Sequence, residues 1–163
     1  MMKNLVVYYS FEGNTELIGK LIEKHINADL IAINPVEDLK SKGFSKYVWG
    51  GLQVIMRKKP ELIPFDCDFS KYDNIFIGSP IWAGNFTPPI RTLLESGLIS
   101  NSKIAYFYTY DGGAKNAEKK LQLKIGESNT LIGSLGVVKP KVNYEKAVKD
   151  TIAWVDSIIQ ENS

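Results

Sequence analysis

One cysteine and one histidine stand among the 163 residues, and each scarcity removes a class of function. A lone Cys67 closes no internal disulfide, which suits a reducing cytoplasm. Its neighbours Asp66 and Asp68 oppose a thiolate, so it makes a poor nucleophile. The single His25 falls in the last turn of an amphipathic segment. A surface place at the negative end of a helix dipole suits it better than catalysis or metal binding. Metal-ligand clusters are absent elsewhere in the sequence, and no apolar run approaches the roughly 20 residues of a membrane span. The start, Met1-Met2-Lys3-Asn4 and then five apolar residues, lacks the core and cleavage site of a signal peptide. Neither G-x-G-x-x-G nor Gly-Lys-Ser/Thr occurs, which argues against a dinucleotide or nucleoside-triphosphate loop.

What is present fits a soluble globular chain: hydrophobic residues make up 44% and charged residues 23%. The length supports one well-buried core, so residues 1–163 are expected to form a single domain. The net charge of +2 is unevenly spread, with eight lysines against three glutamates between Lys115 and Lys149. These lysines could form a docking face for an acidic partner, but solvated helix faces are the commoner outcome. No nucleic-acid motif accompanies the charge.

Apolar patterning alternates strand and helix along the chain. Leu5 to Tyr9 reads as a first strand, and Leu17, Ile18, Leu21, Ile22 and Ile26 recur at helical spacing. Leu30 to Ile33 is a second strand stopped by Asn34-Pro35. Phe44 to Lys58 carries a helical stripe that Gly50-Gly51 weakens by about 1 kcal/mol each; Trp49 lies beside that stripe. Asn74 to Ile77 is the third strand, followed by a loop from Gly78 to Phe86 and a helix opened by Thr87 and Pro88. Ile104 to Tyr110 is the fourth strand, a further helix stops at Gly126, and Thr130 to Val138 is the fifth strand. Gly133 and Gly136 hint at a bulge or a close approach there. The last helix spans Tyr144 to Ile159. Strands alternating with helices imply a parallel sheet covered on both faces, with ligands bound beyond the carboxyl ends of its strands.

Three strands end in loops rich in small and polar residues. The first, Tyr9-Ser10-Phe11-Glu12-Gly13-Asn14-Thr15, joins strand to helix. Its backbone N–H groups and the positive end of the helix dipole can hold a phosphate monoester without a lysine or arginine. Ser10, Asn14 and Thr15 add side-chain donors, and Gly13 permits a turn with positive φ. An ordinary strand-to-helix turn capped by Thr15 or Asn14 uses the same residues.

Together Y-S-F-E-G-N-T, G-S-P-I-W-A-G and Y-T-Y-D-G-G, in order after the first, third and fourth strands, resemble the flavodoxin family. The resemblance runs along nearly the whole chain and implies a doubly wound, five-stranded parallel sheet of order 2-1-3-4-5 with FMN at its switch point. The short passage from fifth strand to last helix resembles the short-chain form. By position, Ser10, Glu12, Gly13, Asn14 and Thr15 would bind the FMN phosphate, Glu12 through its N–H with its carboxylate toward solvent. Ser79 and Pro80 would flank the ribityl chain, and Trp82 would stack on the isoalloxazine. Tyr110, Asp111, Gly112 and Gly113 would bond the pyrimidine edge through backbone groups, with Tyr110 a candidate second wall. The family's usual aromatic lies further along that loop, and none stands there in this chain. In the family the peptide after the tryptophan turns toward the flavin on one-electron reduction. Here Ala83, followed by Gly84, raises the cost of positive φ by roughly 1 kcal/mol.

The resemblance implies an electron carrier working between larger redox proteins, a reductase and an acceptor. An NAD(P)H-dependent FMN reductase acting on quinones or similar acceptors uses the same fold, as would a flavin-free interaction module. The loops hold little positive charge. Glu12 and Asp111 therefore disfavour a negatively charged reduced flavin, with Lys115 the one group expected to soften this.

Overall fold

The structure, a computed structural model, describes residues 1–37, 59–114 and 116–163. The helix expected from Phe44 to Lys58, Trp49 within it, and Lys115 lie outside the described residues. Strands β1 (Asn4–Tyr8), β2 (Asp29–Ala32), β3 (Asn74–Trp82), β4 (Asn85–Phe86), β5 (Lys103–Tyr110) and β6 (Thr130–Val138) form one sheet. Its order is β2-β1-β3-β5-β6, all parallel, with β4 paired antiparallel to β3. Renumbered without the short β4, this is the 2-1-3-4-5 order expected from the sequence.

Among the described residues four α-helices cover the sheet: α1 (Asn14–Ile26), α2 (Pro88–Glu95), α3 (Ala117–Gly126) and α4 (Tyr144–Glu161). Because successive strand side chains point to opposite faces, each strand feeds two cores. Val6, Tyr8, Phe76, Ala105 and Phe107 pack with Ile18 and Ile22 of α1 and Val155 and Ile158 of α4. Leu5, Val7, Ile75, Ile77, Ile104 and Tyr106 pack with Ile90 and Leu93 of α2 and Leu121 and Ile125 of α3. Among the described residues no helix is long and apolar enough to cross a membrane.

Three local readings are corrected. The stretch Gly78 to Trp82 is strand rather than loop, since Gly78 to Pro80 continue the pairing with β5 and Ile81 and Trp82 pair with β4. Gly78 is there for packing: an added Cβ would lie 2.2 Å from Cζ of Phe107. Pro80 lies past the last β3 residue paired with β1, where a missing N–H is tolerated. The remaining turn shrinks to Ala83-Gly84, a two-residue hairpin between Trp82 and Asn85. Finally, α1 is capped by Gly13 rather than by Asn14 or Thr15, and begins at Asn14.

The glycines of β6 do mark close approaches. The β5–β6 register shifts between Ile104 and Ala105, whose partners are Leu131 and Gly133. A Cβ on Gly133 would meet Ile158 at 2.4 Å, and one on Gly136 would meet the Tyr108 ring at 2.7 Å. His25 is exposed and pairs with Asp156 at 2.7 Å. The Cys67 thiol is held above its usual range by burial first and by Asp68, Asp29 and Asp66 next, consistent with an inert thiol.

The packing over Gly78 generates a stability prediction. Gly78→Ala should destabilise the protein by about 1–3 kcal/mol through overpacking against Phe107. Gly126→Ala, with nothing within 4 Å of its new Cβ, should stay within about 0.5 kcal/mol of the natural protein. Urea midpoints at constant m-value measure both, and equal midpoints for the two variants would refute the packing role of Gly78.

Candidate functional site

The carboxyl ends of β1, β3 and β5 open into a cleft of about 290 Å3. Its walls come from the three strand-end segments, Ser10 to Thr15, Pro80 to Gly84 and Thr109 to Gly113. That volume sits at the lower edge of small-molecule sites, which run from roughly 300 to 1,000 Å3.

The first loop turns sharply at Gly13, whose φ of +86° lies in the left-handed region that favours glycine. The Gly13 N–H donates to Oγ of Ser10 at 3.1 Å, drawing the loop around its own hydroxyl. Asn14 has a buried Oδ1 without a partner, an orphaned polar atom on the cleft wall. A polar ligand would satisfy it, or the amide turned over would offer Nδ2 instead. Glu12 is exposed, as expected of a carboxylate beside an anion site. Behind the loop, the Oγ1 atoms of Thr15 and Thr109 lie 2.8 Å apart and buried, which fastens the start of α1 to the end of β5.

The second segment carries the aromatic platform. Trp82 is half-buried at the end of β3, set edge-to-face against Tyr9 (centroids 5.8 Å, 87°) and Phe11 (6.0 Å, 85°). Ala83 has φ +49° and Gly84 φ +67°. Positive φ at both central residues is the hairpin form whose twist matches its strands. The expected reluctance of Ala83 toward this region is therefore already overcome in the folded chain. Lys120 Nζ donates to the Gly84 carbonyl at 3.1 Å and pins the turn to α3.

The third segment ends a tyrosine ladder on β5. Tyr106 and Tyr108 stack at 5.2 Å, and Tyr108 and Tyr110 at 5.9 Å, each at 29°. Tyr110 is half-buried on the cleft, while Asp111, Gly112 and Gly113 are exposed. Burial, with Glu118 adding, pushes the Tyr108 hydroxyl up to about 12. It donates to Glu118 at 3.3 Å and stays protonated at neutral pH.

Of the residues marked from the sequence, Ser10, Glu12, Asn14, Thr15, Pro80, Trp82, Ala83, Gly84, Tyr110, Asp111, Gly112 and Gly113 line the cleft, with Gly13 forming the turn between them. Ser79 does not line it. Its hydroxyl is fully buried, bonded to Oγ1 of Thr87 at 3.0 Å and to the Pro80 carbonyl at 2.8 Å, so it anchors α2. Alternation along β3 explains this, because Ser79 points opposite to Pro80. Phe11, Ile81 and Thr109 line the cleft without having been singled out. Phe11 was visible as an aromatic inside the first loop, whereas Thr109 needed the β1–β3–β5 adjacency.

Positive charge is also nearer than the sequence suggested. Besides Lys120 at the second loop, Lys141 Nζ donates to the Glu12 carbonyl of the first. Both lysines lie far along the chain from the loops they hold.

A protein-family model described as flavodoxin matches residues 3–158. A flavodoxin-like domain-containing protein of Clostridioides difficile (strain CD3), BilS, is 27% identical over 138 residues, 82% of this chain and 64% of that protein. The chain thus spans a little under two thirds of that relative. The structure of a flavoprotein from Lactobacillus acidophilus NCFM in complex with FMN is 26% identical, at TM-score 0.74 over 83% of this chain and 93% of that one. A structure from Bacteroides uniformis ATCC 8492 shares the fold at TM-score 0.80, with 23% identity over 95% of this chain and 98% of that one.

The buried threonine pair behind the first loop is open to test. Thr109→Val removes one hydroxyl and leaves Thr15 Oγ1 buried without a partner, at a cost of about 1–3 kcal/mol. Thr15→Val combined with Thr109→Val should recover part of that loss, since no orphan then remains. Chemical denaturation of the natural protein, the single variants Thr15→Val and Thr109→Val and the double variant measures the coupling, and strictly additive losses would show that the contact contributes nothing.

Proposed function

Since the chain belongs to the flavodoxin family, we propose that it binds FMN noncovalently in this cleft and serves as an electron carrier between larger redox proteins. The observation that carries the reading is the meeting, at the ends of β1, β3 and β5, of an anion-type loop and an aromatic platform. The residues present fit the group. Ser10, Asn14, Thr15 and the loop N–H groups suit a terminal phosphate, and with its amide turned over the unpartnered end of Asn14 would offer Nδ2 as a donor to it. Trp82 offers a planar face for a ring system, and Tyr110 lines the same cleft. Once bound, FMN supplies the one- and two-electron chemistry, and the chain supplies binding, orientation and electrostatics.

The carrier role is favoured by what lines the cleft. Its titratable side chains are Glu12, Tyr110 and Asp111, and both carboxylates are exposed at the rim. Outer-sphere electron transfer needs no buried acid or base, whereas proton-coupled chemistry usually recruits one. A reductase using NAD(P)H keeps support from one feature. The exposed Asp111-Gly112-Gly113 segment carries no aromatic and leaves room beside Tyr110 for a second planar ring. Anaerobic addition of NADH or NADPH to the FMN-loaded protein separates the two. A flavin spectrum that persists supports the carrier, and rapid bleaching assigns the reductase.

Two outcomes test the site itself. FMN should bind far more tightly than riboflavin, because losing the phosphate forfeits several charge-assisted hydrogen bonds of about 1.5–3 kcal/mol each before solvation losses. Gly13→Val should abolish most of that preference, since a β-branched residue would have to take a left-handed backbone conformation with its Cβ 2.9 Å from Lys141 Nζ. Equal affinities by fluorescence titration would sink the phosphate assignment. Trp82→Ala should weaken FMN binding by roughly tenfold and brighten the bound flavin; unchanged affinity and emission would make the tryptophan merely structural.

A further inference from the structure

The turn from β6 to α4 is built with more constraint than a connector needs. Lys139, not a glycine, has φ +42°, and Pro140 after it is buried. The Lys139 N–H donates to the Tyr110 carbonyl at 2.9 Å, and its own carbonyl accepts from Val142 and Asn143 at 2.9 and 3.0 Å. The Asn143 side chain donates to the Val138 carbonyl at 3.2 Å. A non-glycine residue in the left-handed region is strained and persists only where its surroundings impose it. What this turn delivers is Lys141. Its ammonium bonds the Glu12 carbonyl and lies 2.9 Å from where a Cβ on Gly13 would stand.

The Glu12 carbonyl and the Gly13 N–H belong to one peptide unit. No peptide bond in the described chain is cis, so the oxygen and the hydrogen of that unit point in opposite directions. With Lys141 holding the oxygen on the outer side of the loop, the N–H is directed inward, where it meets Ser10 Oγ at 3.1 Å. A cation on the carbonyl also polarises the unit and makes the N–H a stronger donor. The acidic groups nearby are Glu12 itself, Glu16, whose carboxylate is 4.0 Å from the Gly13 Cβ position and is paired with Lys20, and Asp111 on the facing loop. An anion entering here meets a carboxylate-bearing loop, and Lys141 offsets that charge.

We propose that Lys141 is a positioning residue of the phosphate loop: it fixes the Glu12–Gly13 peptide with its N–H inward and supplies the cation that lets this glutamate-bearing loop accept a phosphate monoester. The proposal rests on the FMN reading above and adds a residue that none of the three cleft loops contains. Lys141 acts through the peptide and is not itself on the cleft wall. Its effect therefore falls on the phosphate end of a ligand and not on the ring.

Fluorescence titrations of FMN and of riboflavin, at low and high salt, on the natural protein, Lys141→Met and Lys141→Arg test it. Lys141→Met should weaken FMN by about tenfold at low salt, leave riboflavin within about twofold, and flatten the salt dependence of FMN binding. Lys141→Arg should restore most of the FMN affinity, since the charge and a donor remain. Equal weakening of both flavins would mean a merely structural strap, and FMN affinity unchanged in Lys141→Met would mean no role; either overturns the proposal. A natural protein with no preference for FMN over riboflavin overturns the phosphate reading and this inference together. A preference that survives intact in Lys141→Met overturns the inference alone.

Discussion

The cleft depends first on β1 and β3 lying side by side in parallel. Their register runs from Asn4 opposite Asn74 to Tyr8 opposite Gly78, and the Tyr9 N–H extends it by donating to the Gly78 carbonyl at 3.1 Å. At the other end the side chains of Asn4 and Asn74 bond at 3.0 Å in a buried place, so a slip of one residue would break polar pairing as well as exchange the two cores. From this pair the chain departs to opposite faces, into α1 beyond β1 and into β4 and α2 beyond β3. The gap above the pair cannot be filled by either connection, which is why a ligand site opens there.

Rigid strands do not by themselves shape a loop, and each loop tip is tied from a distance. Gly13 is held between Ser10 and Lys141, the Ala83-Gly84 turn is held by Lys120, and the Tyr110 carbonyl is held by Lys139. Two of these places put a non-glycine residue at positive φ, Ala83 at +49° and Lys139 at +42°. Each costs about 1–2 kcal/mol, an outlay that sites commonly carry against overall stability. The helices therefore act as anchors for the loops as well as covers for the sheet: Lys120 reaches out from α3, and Lys139 and Lys141 from the turn into α4.

Much of this was legible in the chain because the signals are local. Buried parallel strands read as apolar runs, and Leu5 to Tyr9 and Ile104 to Tyr110 stand out for that reason. The three loops are legible because turns with positive φ select small residues. The errors arose where one residue type serves two ends. Gly78, Ser79 and Pro80 carry the composition of a turn, yet Gly78 makes room for Phe107, Ser79 anchors Thr87, and Pro80 sits where a lost N–H is harmless. The cations were out of reach altogether. Glu12 and Lys141 are 129 positions apart, and a lysine that bonds one backbone carbonyl leaves no pattern in sequence.

Placing a cation on a carbonyl rather than in the cleft has a physical consequence. A lysine inside would meet a phosphate directly, as a mobile point charge indifferent to the shape of the anion. Behind the peptide its charge is transmitted through a fixed dipole, so the surface offered to the ligand consists of backbone N–H and hydroxyl donors with set directions. Such a surface discriminates by geometry, favouring a tetrahedral group over a planar carboxylate of similar charge. In the binding mode proposed above, Trp82 and Tyr110 would wall the ring, while the carboxylates of Glu12 and Asp111 are exposed. In that mode the charge that helps to hold the ligand would sit at one end of the cleft, with the ring beside aromatic side chains. With the charge at the phosphate end, affinity can be adjusted through Lys141 with little change in the field at the redox-active ring, since Coulomb interactions fall with distance and with exposure to water.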